Sequence, residues 1–276
     1  MHCSCAVGGE LKPSSAPGAL GGEQVEGRHA VHELFALGRR RSKRVWVSEG
    51  WESAEPLRRI VALARQRDVP VQFKAADAVM AAARTSSPQG VIAWAAPVTS
   101  VSLDQLLAVG RSTGSHFLLV LDGVTDPGNF GAVLRSAACA GVGGVVVGRH
   151  RSAPLTPAAV KAAAGAVEVV PIAQVPGVPG ALQALARAGV WAVGLDPAGP
   201  EELWHAPLLD GPVALVLGSE GAGLSQLARR RCDALVRVPQ SGALGSLNVA
   251  AAAAVACFEV ARRRAGAGRA EAAGRA

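Results

Sequence analysis

LDGVTDPGNFGAVLRSAACAGVGGVVV, spanning Leu121–Val147, sets the fold class. An apolar run ends at Asp122, a turn follows at Asp126-Pro127-Gly128-Asn129, a helical stretch carries Arg135 as its single charge, and glycines lead into a second apolar run. Two continuous apolar runs with a helix between them read as strands of a parallel sheet buried on both faces. The pattern recurs in FLLVLD, GVVVG, VEVVPI, WAVGLD and VALVLG, so an α/β domain with a parallel sheet is predicted over residues 115–265. Its last helix, SLNVAAAAAVACFEVARRR, ends in three arginines suited to the negative end of a helix dipole.

Upstream, residues 23–97 alternate helix and strand on a smaller scale: HAVHELFALG and AEPLRRIVALARQR are amphipathic, and RVWV, VPVQF and GVIAWAA are strand-like. A small α/β domain is predicted there. The stretch APVTSVSLDQLLAVGRSTGS, residues 96–115, carries Pro, Ser and Gly clusters around one short helical turn, and residues 98–114 within it read as a linker. Residues 1–22, a Gly/Ser/Pro-rich leader with Cys3 and Cys5, and residues 266–276 are predicted to be disordered.

With 276 residues, half of them apolar, the chain can bury a real core. It shows neither a signal peptide nor an apolar run long enough to span a membrane, and its five cysteines have no repeating spacing, which predicts a cytoplasmic protein. The net charge of +7 points to an acidic partner, nucleic acid first, and residues 1–97, with 13 basic against 9 acidic residues, are the more basic part. With aromatics at only 4%, RNA contacts are expected to be made to phosphate and shape rather than by base stacking. The run Gly38–Arg44, with Arg39, Arg40, Arg41, Lys43 and Arg44, is the candidate phosphate grip, against the alternative of a solvated loop. His29 and His32 share a helix face and read as surface or phosphate-contacting residues; no metal is predicted.

Ligands collect at the carboxyl ends of parallel strands, so the loops there are the places to look for chemistry. In the first, Asn129 reads as the N-cap of a helix starting near Phe130, and Arg135 lies one turn above Gly131, where nothing bulky stops it reaching back to the loop, although this helix by itself favours Arg135 as an ordinary exposed residue and Asn129 as merely a cap. In the second, VALVLGSEGAGLS, the glycines are in the wrong order for a dinucleotide fingerprint but leave a backbone that a ligand can approach beside Glu220, itself readable as a first-turn acid. In the third, VRVPQSGALGSLNVAAAAAV, Ser246 and Asn248 sit where a helix begins, with Ser246 readable as its N-cap. Each loop alone is ordinary.

In this order and at these separations, DPGNFGAVLRSA, LVLGSEGAGLS and VPQSGALGSLNVAAA resemble the three motifs of the SpoU (TrmH-type) RNA 2′-O-ribose methyltransferases, in particular the branch that modifies guanosines of 23S rRNA. The likeness covers nearly all of residues 25–264 and departs at Ala250, where Ser is frequent. It implies S-adenosylmethionine as cofactor and RNA as substrate, with Asn129, Arg135, Glu220, Ser246 and Asn248 as the polar active-site set. It also implies Gly218, Val238 and Leu247 in the cofactor pocket, a deep trefoil knot in the catalytic sheet, an L30e-like RNA-binding front domain, and a homodimer in which one subunit completes the other's site. The Ala-rich face at 250–256 would allow the close helix approach such a dimer needs.

Methyl transfer to a ribose hydroxyl needs positioning, dry surroundings and stabilisation of a developing alkoxide, and no metal. Arg135 suits the electrostatic part, since a guanidinium does not give up its proton. Two other readings share the sequence: the same chemistry on tRNA or on an rRNA site of antibiotic resistance, and a non-catalytic RNA-binding scaffold. The joint presence of five polar motif residues argues against the scaffold.

Overall fold

Apolar runs between turns become strands, and the strands gather into two sheets. The computed structural model describes residues 18–113, 116–242 and 245–273. The front part comprises β1 (Gln24–Glu26), α1 (Arg28–Leu37), β2 (Ser42–Ser48), α2 (Glu55–Gln66), β3 (Val71–Lys74), α3 (Ala76–Ala82) and β4 (Val91–Ala95). Its sheet runs β1-β4-β2-β3, with only β2 and β3 parallel. Alternation along β2 buries Val45 and Val47 and leaves Arg44 and Trp46 on the other face. Leu57, Ile60, Val61 and Ala64 of α2 recur at helical spacing and are all buried. Gly38, at φ 59°, ends α1 in the left-handed turn that favours glycine.

The stretch expected as a linker around one short helical turn holds a longer helix. It is the eleven-residue α4 (Leu103–Thr113), whose Leu103, Leu106 and Leu107 are buried with Leu118 and Val120 of the second sheet. Ser102 and Gln105 exchange side-chain and backbone hydrogen bonds of 2.7 and 3.1 Å, a capping box that starts it. Residues 18–21 belong to the stretch predicted to be disordered. Residues 18–21 run along 98–100 through the bonds Leu20 N–H to Val98 O and Val98 N–H to Gly21 O, both 2.8 Å. Cys3 and Cys5 lie outside the described residues.

The second part continues with β5 (Phe117–Asp122), α5 (Pro127–Cys139), β6 (Gly144–Gly148), α6 (Pro157–Ala163), β7 (Ile172–Val175), α7 (Val178–Arg187), β8 (Trp191–Leu195), β9 (Glu201–Glu202), β10 (Val213–Gly218), α8 (Gln226–Arg231), β11 (Ala234–Arg237) and α9 (Val249–Ala273). Its sheet order is β7-β6-β5-β10-β8-β11-β9, and every neighbouring pair is parallel. One face is covered by α5, α6 and α9, the other by α4, α7 and α8, as a parallel sheet requires. The VEVVPI segment gives a 3-10 turn at Ala166–Glu168 and a strand only from Ile172, because Pro171 has no N–H for the ladder.

Helix α9 runs on to Ala273, so Arg262, Arg263 and Arg264 lie inside it rather than at its end, and most of the predicted disordered tail is helical. These arginines act as straps. Arg262 and Arg263 donate to Glu259, and the hydrogen bond from Arg262 is the largest cause holding its carboxyl at about 2 rather than 4.5. Arg264 donates to His116 O at 2.7 Å.

The two parts share one buried cluster in which Val25, Val31 and Val98 join Ala159, Val160 and Ala163 of α6. No helix among the described residues is long and apolar enough to cross a membrane.

Candidate active site

The carboxyl ends of β5, β10, β8 and β11 are neighbours in the sheet, so the loops after them converge. After β5 the helix N-cap is Asp126, not Asn129: its Oδ1 accepts from Asn129 N–H at 2.7 Å. Pro127 explains the shift, because its fixed φ and missing N–H suit the first helical position and start α5 earlier. The Asn129 side chain, relieved of capping, donates from Nδ2 to Glu220 Oε1 at 2.8 Å.

Glu220 sits at the tip of a tight turn after β10. Ser219 and Gly223 exchange backbone hydrogen bonds of 3.0 and 2.9 Å. A Cβ on Gly218 would stand 2.0 Å from the Gly223 carbonyl carbon, so the glycine makes room for the chain's own return. Glu220 is not a first-turn acid, since α8 starts at Gln226 behind a Ser225 cap whose N–H donates to Asp122 Oδ2 at 2.8 Å.

Asn248, rather than Ser246, caps α9: its Oδ1 accepts from Ala250 N–H at 2.8 Å. Its Nδ2 donates to Asn129 Oδ1 at 3.0 Å and to Glu220 Oε1 at 2.7 Å. Three loops thus meet in a closed triangle of side chains. The Asn248 amide is fully used, with both protons given and its oxygen taken. Within the triangle, Glu220 Oε2 and one N–H of Asn129 have no hydrogen-bond partner among the described residues and remain for a ligand.

Beside the triangle lies a cavity of about 550 Å³, within the range of small-molecule sites. Gly218, Val238 and Leu247 line it, as do Glu220, Ser246 and Asn248. Leu195 at the end of β8 and residues 196–198 after it also line the cavity and were missed, although WAVGLD ends a predicted strand and the rule about strand ends points there. Asp196 in this segment pairs with Arg229. The apolar walls formed by Leu195, Leu217, Val236 and Leu247, beside backbone of the glycine turn, fit a cofactor with a flat apolar ring and polar ends.

Arg135 does not join the triangle. It is exposed, lies outside the cavity lining, and has no hydrogen-bond or ion-pair partner among the described residues. Six positions along an α-helix turn it about 120° from Asn129 and carry it ~9 Å further on. The space over Gly131 is not open to it either: a Cβ there would stand 2.3 Å from Ala159 O of α6.

The basic run divides. Arg40 is not available to RNA: it donates to both carboxylate oxygens of Glu168, at 2.9 and 2.5 Å, and to Gly22 O and Ala96 O. Arg44 lies over the Trp94 ring, 4.5 Å from its centroid, on the face opposite Val45. Arg39, Arg41 and Lys43 are exposed. His32 Nδ1 lies 3.0 Å from Glu33, and His29 is exposed.

A family model described as the SpoU rRNA Methylase family matches residues 116–258, and one described as RNA 2′-O ribose methyltransferase substrate binding matches residues 24–101. The 23S rRNA (guanosine-2′-O-)-methyltransferase RlmB of Pseudomonas putida is 39% identical over 245 residues, 88% of this chain and 97% of that protein. Among solved structures, the SpoU methyltransferase AviRb from Streptomyces viridochromogenes in complex with AdoMet superposes with TM-score 0.72 at 26% identity, over 88% of this chain and 90% of that one. An AdoMet-bound rRNA methyltransferase from Sinorhizobium meliloti gives TM-score 0.67 at 26% identity, over 87% and 86%.

Proposed function

The chain belongs to the SpoU rRNA methylase family, and we propose that it methylates a ribose 2′-hydroxyl of RNA from S-adenosylmethionine, at a guanosine of 23S rRNA. The observation that carries this reading is the Asn129–Glu220–Asn248 triangle at the wall of the 550 Å³ cavity.

When bound, S-adenosylmethionine supplies a sulfonium methyl group as a ready electrophile. Leu195, Leu217, Val238 and Leu247 hold its apolar part, with backbone at Gly218 beside it. Glu220 keeps Oε2 free to accept a hydrogen bond from the ribose hydroxyl and to take its proton as the oxygen displaces the sulfonium sulfur at the methyl carbon, and Asn129 keeps one N–H to orient that hydroxyl. Asn248 is a positioning residue, and Ser246, exposed at the cavity, orients substrate. Arg135 keeps its proton and stabilises the developing negative oxygen.

Because Arg135 stands away from the triangle of its own chain, it serves the site of a second copy in a homodimer. Supporting this, Arg135 and Cys139 of α5 and Ala251 and Phe258 of α9 are all exposed on packed neighbouring helices, Phe258 at 50%. Ala253 and Ala256, by contrast, are buried within the chain.

The knot belongs to the same reading. β11 lies between β8 and β9, and the loop joining those two strands passes over it so closely that a Cβ on Gly199 would stand 2.7 Å from the Val236 carbonyl carbon. Residues 23–97, with their mixed four-stranded sheet, are the L30e-like RNA-binding domain, residues 115–265 are the catalytic one, and the site of action is the cytoplasm.

The test is methyl transfer from labelled S-adenosylmethionine to 23S rRNA fragments, with wild type and with a mixture of Arg135→Ala and Glu220→Gln proteins. Each variant alone should be inactive while still binding cofactor. Random pairing restores one intact site in half the dimers, so the mixture should recover about a quarter of wild-type activity. No transfer by wild type ends the functional reading; a mixture as inactive as its components places Arg135 in its own chain's site.

A further inference from the structure

We propose that the outer edge of β3 in the front part is a contact surface for an unpaired stretch of the RNA substrate, with a phosphate seat at one end and a base-stacking platform at the other. This rests on the RNA reading above. β3 is an edge strand, and its Gln72 and Phe73 are exposed.

At the start of β3 lies a cleft of about 540 Å³ lined by Arg41 and Lys43 from the basic run and by Arg67 and Asp68 from the turn after α2. Arg41, Lys43 and Arg67 are exposed, and none is paired with a carboxylate among the described residues. Arg67 donates to Ala36 O at 2.7 Å, which lays its guanidinium over Gly38 and fixes it at the cleft. Three cations against one acid favour a polyanion.

At the other end, Phe73 is 40% exposed and stacks on Trp51, with ring centroids 5.2 Å apart and planes inclined by 10°. Arg65 stands 6.0 Å from the Trp51 ring centroid. From Pro70 at the cleft to Phe73 is a rise of ~10 Å along the strand, so seat and platform fall within the reach of a few nucleotides. An exposed ring beside cations recognises a base whose face is open, which a duplex does not offer. The low aromatic content argued against stacking, but composition does not show where the rings are placed.

Binding of single-stranded and hairpin fragments of 23S rRNA, measured by fluorescence anisotropy across a salt series, tests the surface. Phe73→Leu should weaken binding by about tenfold and leave the salt slope unchanged, and Phe73→Trp should restore it. Arg41→Gln with Lys43→Gln should flatten the slope by ~0.7 per lost phosphate contact. Unfolding temperatures should match wild type in all three proteins. Phe73→Leu binding like wild type, an unchanged slope in the double variant, or tighter binding of a blunt duplex than of single strands overturns the surface. Failure of the wild type to transfer methyl groups bears on the earlier reading alone, because these binding shifts are scored without turnover.

Discussion

Asn248 does two things with one amide, and they can be separated. Its oxygen caps α9 and its nitrogen ties Glu220 to Asn129. Asn248→Ala should lose both, costing about 1 kcal/mol of stability for the cap and ~100-fold in turnover for the displaced carboxylate. Asn248→Asp keeps a capping oxygen but sets a second carboxylate against Glu220, so melting should stay near wild type while turnover falls as far. Wild-type turnover in Asn248→Asp would show that the triangle is dispensable. Asn129, Glu220 and Asn248 were all legible as polar residues at strand ends, but their capping roles were misjudged at two positions. A helix start depends on which of several adjacent polar residues wins the cap, and at α5 Pro127 decides it through its fixed backbone angle and missing N–H.

Helix α5 crosses α6 at Gly131, where a Cβ would stand 2.3 Å from Ala159 O, 2.7 Å from Ala162 Cβ and 2.9 Å from Ala163 N. The sequence suggested that this glycine clears a way for Arg135; it clears one for α6. Gly131→Ala should therefore destabilise the fold by about 1–3 kcal/mol despite the better helix propensity of alanine. Thermal unfolding measures this, and stability equal to wild type would mean that the helices separate freely. Elements with a long apolar period, such as α2 and β5, could be read directly. Helix α4 could have been: Ser102-Leu103-Asp104-Gln105 is a capping-box sequence, obscured by the Pro and Ser around it. β1 could not, because three residues become a strand only by pairing with β4.

Across the whole molecule, Arg40 and Glu168 join the front part to the catalytic part, with side chains only 10% and 1% exposed. Arg40→Ala leaves the Glu168 carboxylate buried without its cation and should cost about 3–5 kcal/mol. RNA methylation should fall with it while cofactor affinity holds, and Arg40→Ala with Glu168→Ala should recover part of the stability. Denaturant unfolding of the two single variants and the double variant gives the coupling; additive losses would show that the pair does not fix the two parts together.

By itself the sequence determined the α/β class, most of the strands and helices, and the three loops that hold Asn129, Glu220 and Asn248. These are written in local periodicity and in backbone-restricting residues such as Pro127 and Gly218, which act within a few positions. Only the tertiary structure decided that Arg40 is an internal tie and that β11 slips between β8 and β9. Each of these depends on partners from 35 to 128 positions distant, and no local propensity reports which of many distant surfaces will pack together most favourably.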